Sequence, residues 1–191
     1  MFAILRRLDP ELAVKLAIAI ARAGIAALEI TIDSEGALEV VSSLRAELPD
    51  TAVGVGTVLE PAAVEAAAEA GARFVVSPVV DESVIATCVR LGIPALPGAA
   101  TPTEALLAWR AGASMVKLFP AASGGPGGLK AIHEPLPMIP LVAVGGVGGG
   151  NARAYIDAGA SAVGIGSWIT AAGSPELAAE RTAQVIHELR G

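Results

Sequence analysis

Eight short apolar runs recur along the chain at intervals of roughly 20 residues, each followed by a longer Ala- and Leu-rich segment. The runs are FAILR (2–6), ALEITI (27–32), AVGVGT (52–57), FVVSP (74–78), PALPG (94–98), MVKLFP (115–120), PLVAVGG (140–146) and AVGIGS (162–167). Helices are expected between and after them, over 10–23, 35–47, 61–70, 81–91, 102–111, 125–134, 150–158 and 175–189. A strand that is apolar without alternation is buried on both faces, which is the situation of a parallel sheet covered by helices. Proline sits at or near the first helical position in Asp9-Pro10, Glu60-Pro61 and Thr101-Pro102. Glycine follows Ala23, Ala70, Leu91, Ala111 and Ala158, where it can end a helix in a left-handed turn. Eight strand–helix units predict an α/β fold of the (β/α)8 TIM-barrel type, in a single domain spanning 1–191. An open doubly wound sheet is the alternative, but no dinucleotide-binding glycine fingerprint follows the first strand.

Composition narrows the possible partners. With 13 basic and 19 acidic residues the net charge is −6, and no basic run is present. Nucleic acid is therefore not an expected partner, and an anionic ligand needs a local cationic pocket. The single cysteine, Cys88, excludes an internal disulfide and reads as a small buried apolar residue. The most apolar N-terminal stretch is interrupted by Lys15, Arg22 and Glu29, so no membrane span is expected. No signal peptide is visible, and a cytoplasmic location is the expectation. His133 and His187 fall on helices without an H-x-H or H-E-x-x-H pattern, so no metal is expected. Trp109 and Tyr155 read as packing residues on helices.

Three charged residues sit in the apolar strands: Arg6, Glu29 and Lys117. In a barrel the C-terminal ends of the strands carry the chemistry. Side chains alternate along a strand, so Lys117 shares a face with Met115 and Phe119, opposite Val116 and Leu118. The covering helices want the Val and Leu face, which turns Lys117 inward. Glu29 turns inward by the same reasoning, opposite Leu28 and Ile30. Lys15 and Lys130, the other two lysines, fall on solvated helix faces. A desolvated lysine keeps some neutral amine near pH 7, and neutral amine is a nucleophile for carbonyls. A nearby carboxylate could shuttle protons. The other reading is a buried Lys117–Glu29 ion pair that holds the barrel.

The glycine-rich ends VAVGGVGGGN (142–151) and VGIGSW (163–168) lie where the seventh and eighth strands meet their helices. Bare backbone there, with a helix N-terminus beside it, is the usual phosphate site of a barrel. Gly56-Thr57 ends the third strand, where the hydroxyl either holds a carboxylate or caps a helix. Pro78, Pro97 and Pro120 lie at strand ends and could shape an apolar pocket with Phe119 or simply pack.

At these residues the chain resembles the class I aldolases that act on 2-keto-3-deoxy-6-phosphogluconate, 2-keto-3-deoxy-6-phosphogalactonate or 4-hydroxy-2-oxoglutarate. The resemblance runs through AILR (3–6), LEIT (28–31), VGTVL (55–59), VSP (76–78), PGAATPTEA (97–105), VKLFPA (116–121), VGGV (144–147) and VGIGS (163–167). It implies a homotrimeric barrel that uses no metal or organic cofactor, only a covalent lysine imine. Its substrate would be a small phosphorylated keto acid. Lys117 matches the imine-forming lysine and Glu29 the general acid/base. Arg6 and Thr57 match positions that hold the pyruvyl carboxylate, and Pro78 and Phe119 line the pyruvyl pocket. Gly145, Gly146, Gly166 and Ser167 match the phosphate-binding loops.

The departures from the family pattern are also informative. Asp33 stands where many gluconate-type members carry Arg, which shifts carboxylate recognition onto Arg6. Val144 before Gly145-Gly146 is similar to the galactonate type, where gluconate enzymes commonly have Thr. The family has a helix ahead of its first strand, whereas the strand here begins almost at Met1, so the barrel bottom is expected to be less covered. Two other classes remain open: a phosphosugar isomerase or epimerase on the same barrel, and a non-catalytic phosphometabolite-binding protein.

Overall fold

Phe2–Leu5 (β1) is flanked in parallel by Ala27–Thr31 (β2) on one side and Ala162–Ile165 (β9) on the other. From β2 the sheet continues to Ala52–Gly56 (β3), Val75–Val76 (β4) and Ala95–Leu96 (β5). From β9 it continues to Leu141–Val144 (β8), Val116–Leu118 (β7) and Gly98–Ala99 (β6). The two ends of this order, β5 and β6, are halves of one strand interrupted at Pro97. The Leu96 carbonyl accepts from Ser77 N on the β4 side (3.3 Å), and the Pro97 carbonyl accepts from Lys117 N on the β7 side (2.9 Å). The sheet is therefore closed into the expected (β/α)8 barrel. The computed structural model describes residues 1–191.

The eight expected helices stand where the sequence places them, with every end within two residues of the expected one. The helices are Pro10–Arg22 (α1), Ala37–Glu47 (α2), Pro61–Glu69 (α3), Glu82–Leu91 (α4), Pro102–Arg110 (α5), Gly125–His133 (α6), Ala152–Asp157 (α7), Ser167–Thr170 (α8) and Pro175–Arg190 (α9). Their starts follow the local chemistry. The Asp9 carboxylate accepts the free N–H groups of Glu11 and Leu12 at the head of α1. Thr101 and Glu104 form a reciprocal capping box on α5. Three elements were not anticipated. A single 3-10 turn forms at Ala121–Ser123. The expected fifth strand is split in two, because Pro97 has no N–H for the ladder. A short helix, α8, also forms directly at Ser167.

Two apolar layers follow from strand alternation. Leu28, Ile30, Val116 and Leu118 face outward into a core of 45 residues shared with the helices. A second cluster of seven fills the barrel interior, including Phe2, Phe74, Val142 and Val144. The Phe2 and Phe74 rings meet edge to face at 6.1 Å and stopper the lower end. The strand positions beside them are glycine for reasons of space: a Cβ at Gly54 would lie 2.5 Å from the Phe74 ring, and one at Gly164 would lie 2.5 Å from the Phe2 ring.

Cys88 is fully buried on α4, and burial pushes its thiol up to about 11, well away from thiolate reactivity. Tyr155 is buried and Trp109 packs against the outer core. Lys15 and Lys130 are exposed, as expected, and each pairs with a glutamate one turn away. No helix is long and apolar enough to cross a membrane.

Candidate active site

The ten residues matched to catalytic, pyruvyl and phosphate positions all line one cavity of about 1020 Å³ at the C-terminal ends of the strands. Lys117, in the middle of β7, points into the barrel with Met115 and Phe119, as the alternation requires. It is 6% exposed, and its Nζ sits 4.6 Å from the centre of the Phe119 ring. A cation over a ring face is attracted by the ring quadrupole, which partly replaces lost water. Burial lowers the Lys117 pKa below the ordinary lysine value. The Arg6 charge acts in the same direction, and the Glu29 charge resists.

Glu29 points inward from β2 and is 1% exposed. Its Oε2 has no hydrogen-bond partner. Burial pushes its pKa up to about 7, against the pull of Lys117 and Arg6. The space for its carboxylate is provided by the next strand, where a side chain at Gly56 would collide with it. The expected alternative, a buried Lys117–Glu29 ion pair, is not formed. All six ion pairs of the molecule lie elsewhere, in exposed or partly exposed positions. The two groups feel one another's charge without making contact, which leaves both free to react.

Arg6 follows β1 directly; the strand ends one residue before it, at Leu5. Its Nη2 donates to Asp33 Oδ2 at 3.3 Å, and Arg7 Nε donates to the same oxygen at 2.8 Å. Burial alone would raise the Asp33 carboxyl. A Thr31 hydrogen bond and the charges and hydrogen bonds of Arg6 and Arg7 outweigh it and hold the pKa below the usual range. This accounts for an acidic residue close to the expected anion site: its charge is neutralised by two guanidinium groups.

Thr57 lines the cavity with a left-handed backbone (φ 62°). It does not cap a helix, because α3 is entered through Glu60. A non-glycine residue held in that conformation is a mark of sites where position outweighs strain. Pro78 and Phe119 line the cavity, whereas Pro97 and Pro120 do not. Pro97 breaks the fifth strand, and Pro120 backs the glycine loop, with its Cα 3.2 Å from where a Gly145 Cβ would be.

Gly145 and Gly146 both have left-handed backbones (φ 91° and 79°), and both line the cavity, with no side chain between their backbone and the open space. Gly166 and Ser167 face the same space from β9 and the start of α8. The head of α7, expected to help hold an anion, is already occupied. The Glu188 carboxylate accepts from Gly150 N (2.9 Å) and Arg153 N (3.2 Å). Asn151 braces the loop, with Oδ1 accepting from Gly148 N and Nδ2 donating to the Gly146 carbonyl, both at 2.9 Å. Trp168 packs against Gly148 and Gly149, where a Cβ on either glycine would lie 2.5 Å from its ring system. Arg7, Thr31, Asn151 and Trp168 also line the cavity and were not nominated. The glycine run signalled the loop, but nothing in it names the side chains that brace it.

Comparison with known proteins agrees with this geometry. Residues 1–185 match the profile of the family described as KDPG and KHG aldolase. The 2-dehydro-3-deoxy-6-phosphogalactonate aldolase of Escherichia coli (strain K12) is 39% identical over 186 residues, covering 96% of this chain and 89% of that protein. A native KDPGal structure superposes with a TM-score of 0.94 at 37% identity, covering 99% of this chain and 93% of that one. The KDPG aldolase from Legionella pneumophila, solved with pyruvate captured at low pH as a covalent carbinolamine intermediate, superposes with a TM-score of 0.84. It is 29% identical, covering 95% of this chain and 91% of that one. An isomerase or a non-catalytic binding protein finds no support in these matches. The chain belongs to the KDPG and KHG aldolase family.

Proposed function

We propose that this class I aldolase cleaves a 2-keto-3-deoxy-6-phosphohexonate to pyruvate and glyceraldehyde 3-phosphate through an imine on Lys117. The observation that carries the reading is a desolvated lysine and an unpartnered, buried carboxylate facing one cavity without pairing. Neutral Lys117 Nζ attacks the C2 ketone and, with loss of water, forms a protonated imine. Glu29, directly or through a water, takes the proton from the C4 hydroxyl. The C3–C4 bond breaks, C4 leaves as the aldehyde, and the electron pair moves into the enamine. A proton returns to C3, and water hydrolyses the imine to release pyruvate. A carboxyl titrating at about 7 can both accept and return that proton at neutral pH. The imine is itself the electron sink, so this route requires neither a metal nor an organic cofactor.

Arg6 and Thr57 are the residues we assign to the pyruvyl carboxylate, and Pro78 and Phe119 to the walls around it. The backbone at Gly145, Gly146 and Gly166 and the Ser167 hydroxyl receive the phosphate. Val144, which lines the cavity, and the similarity to the E. coli enzyme favour the galactonate epimer. Relative kcat/KM on the two epimers tests that preference. We further propose a cytoplasmic homotrimer, for which the family resemblance gives support; sedimentation analysis tests the assembly. Borohydride reduction in the presence of pyruvate, followed by peptide mapping, tests the chemistry. A pyruvyl adduct is expected on Lys117 and absent in Lys117→Ala. A folded protein that forms no adduct would overturn the reading.

A further inference from the structure

The cavity is lined by three cations: Lys117, Arg6 and Arg7. The proposed reaction uses the first as nucleophile and the second for the carboxylate, and leaves the third without a task. Arg7 is nevertheless placed with care. It stands at φ 49°, a left-handed conformation that a non-glycine residue adopts at a cost. Its backbone N donates to Ser34 Oγ (2.9 Å), and its Nε donates to Asp33 Oδ2 (2.8 Å). Asp33 thus fixes the plane of the guanidinium through Nε alone. The two terminal amino groups make no hydrogen bond within the protein, so the fork that matches a phosphate or carboxylate remains open.

Two observations distinguish Arg7 from Arg6. The Arg6 charge is felt at both Glu29 and Lys117, and the Arg7 charge at neither. Arg7 is also the more exposed side chain, 69% against 50%. The strand register supplies the direction. Ala3 of β1 is opposite Ile165 of β9, so Gly166-Ser167 emerges beside the segment that carries Arg6 and Arg7. The β8 and β9 loops present only N–H groups, hydroxyls and neutral side chains to the cavity. A phosphate monoester carries a charge of about −1.5 to −2 at neutral pH, and a chain of net charge −6 offers it no general attraction.

We propose that Arg7, held ready by Asp33, is the counter-ion for the phosphate end of the substrate. The inference rests on the aldolase reading and adds to it a residue that sets the preference for phosphorylated over unphosphorylated aldehydes.

Arg7→Gly is the informative variant, because glycine adopts the same left-handed backbone without strain and the fold is not put at risk. In the condensation direction, KM for glyceraldehyde 3-phosphate should rise by about 10- to 100-fold, the range expected for one charged hydrogen-bonded contact. The KM for unphosphorylated glyceraldehyde should be the same in the variant and the parent. Arg7→Lys should recover part of the loss, and Asp33→Ala should give an intermediate one, since the cation stays but its anchor is gone. Inorganic phosphate titrated calorimetrically into the parent and into Arg7→Gly reads the site without turnover. Weaker phosphate binding by the variant is expected. Equal phosphate affinity in the two proteins, or an equal KM change for both aldehydes, would overturn the assignment. Failure of pyruvate trapping at Lys117 would instead remove the aldolase reading, and the phosphate titration would still decide Arg7.

Discussion

The carboxylate of Glu29 occupies the space in which any side chain at Gly56 would have to begin, so the two residues on neighbouring strands are sterically interlocked. The missing Cβ on β3 is thus part of the proposed catalytic apparatus. Gly56→Ala should displace the carboxylate and lower kcat by roughly 100-fold, at a stability cost of about 1–3 kcal/mol from overpacking. The same change in a Glu29→Ala background should cost much less. A double-mutant cycle on melting temperature and kcat reads this coupling, and strict additivity would show that the interlock does not matter.

Glu29→Gln should lower kcat by about 10²–10⁴-fold while pyruvate is still trapped on Lys117. Stability carries a second signature. The Glu29 carboxyl moves from 4.5 to about 7 on folding, so between those values the native state holds a proton that the unfolded chain has released. Wild-type stability should therefore fall as pH rises through this window, by about 3 kcal/mol in total. Glu29→Gln escapes that loss. Its advantage in melting temperature should be small near pH 5 and largest at pH 8, and calorimetry at both pH values checks the trend.

Lys117→Met should abolish imine formation and yet stabilise the fold by about 1–3 kcal/mol, because a buried, unpaired amine is removed. The sign with pH is opposite to that of Glu29. A lysine whose pKa is lowered on folding destabilises the native state most at low pH, and this penalty fades as pH rises towards the ordinary lysine value. Denaturant titrations of both proteins across pH should therefore converge in the alkaline range.

Gly146→Ala combines a positive φ of 79° with a Cβ that would lie 2.5 Å from the Ala122 methyl. The loop must shift, and KM for glyceraldehyde 3-phosphate should rise by about 10-fold or more. Steady-state kinetics with unphosphorylated glyceraldehyde should show little change. Equal losses on both aldehydes would place the damage in the pyruvyl pocket instead.

What could be read in the sequence was whatever depends on near neighbours along the chain. Strand alternation put Lys117 and Glu29 inside, because Val116, Leu118, Leu28 and Ile30 had to face the helices. Helix starts at Pro10 and Pro102 follow from residues within one turn. What escaped depends on partners brought together only by the closed barrel. Asp33 lies 26 positions beyond Arg7, and no local pattern links them. Glu188 reaches back from α9 to the head of α7, so a helix N-terminus that looked free is taken. Pro97 was visible as a strand-end proline, but that it divides the fifth strand depends on pairing with β4 and β7, which the sequence does not display.

The edge-to-face pair of Phe2 and Phe74 fills the barrel at the N-terminal ends of its strands, opposite the end that holds the cavity. In the proposed reaction pyruvate is tethered to the buried Lys117, and the aldehyde lies between it and the cavity mouth. The aldehyde must therefore leave before pyruvate can follow, and in synthesis pyruvate must enter before the aldehyde. On that reading the order of binding and release follows from a barrel closed below by two phenylalanines that do not line the cavity.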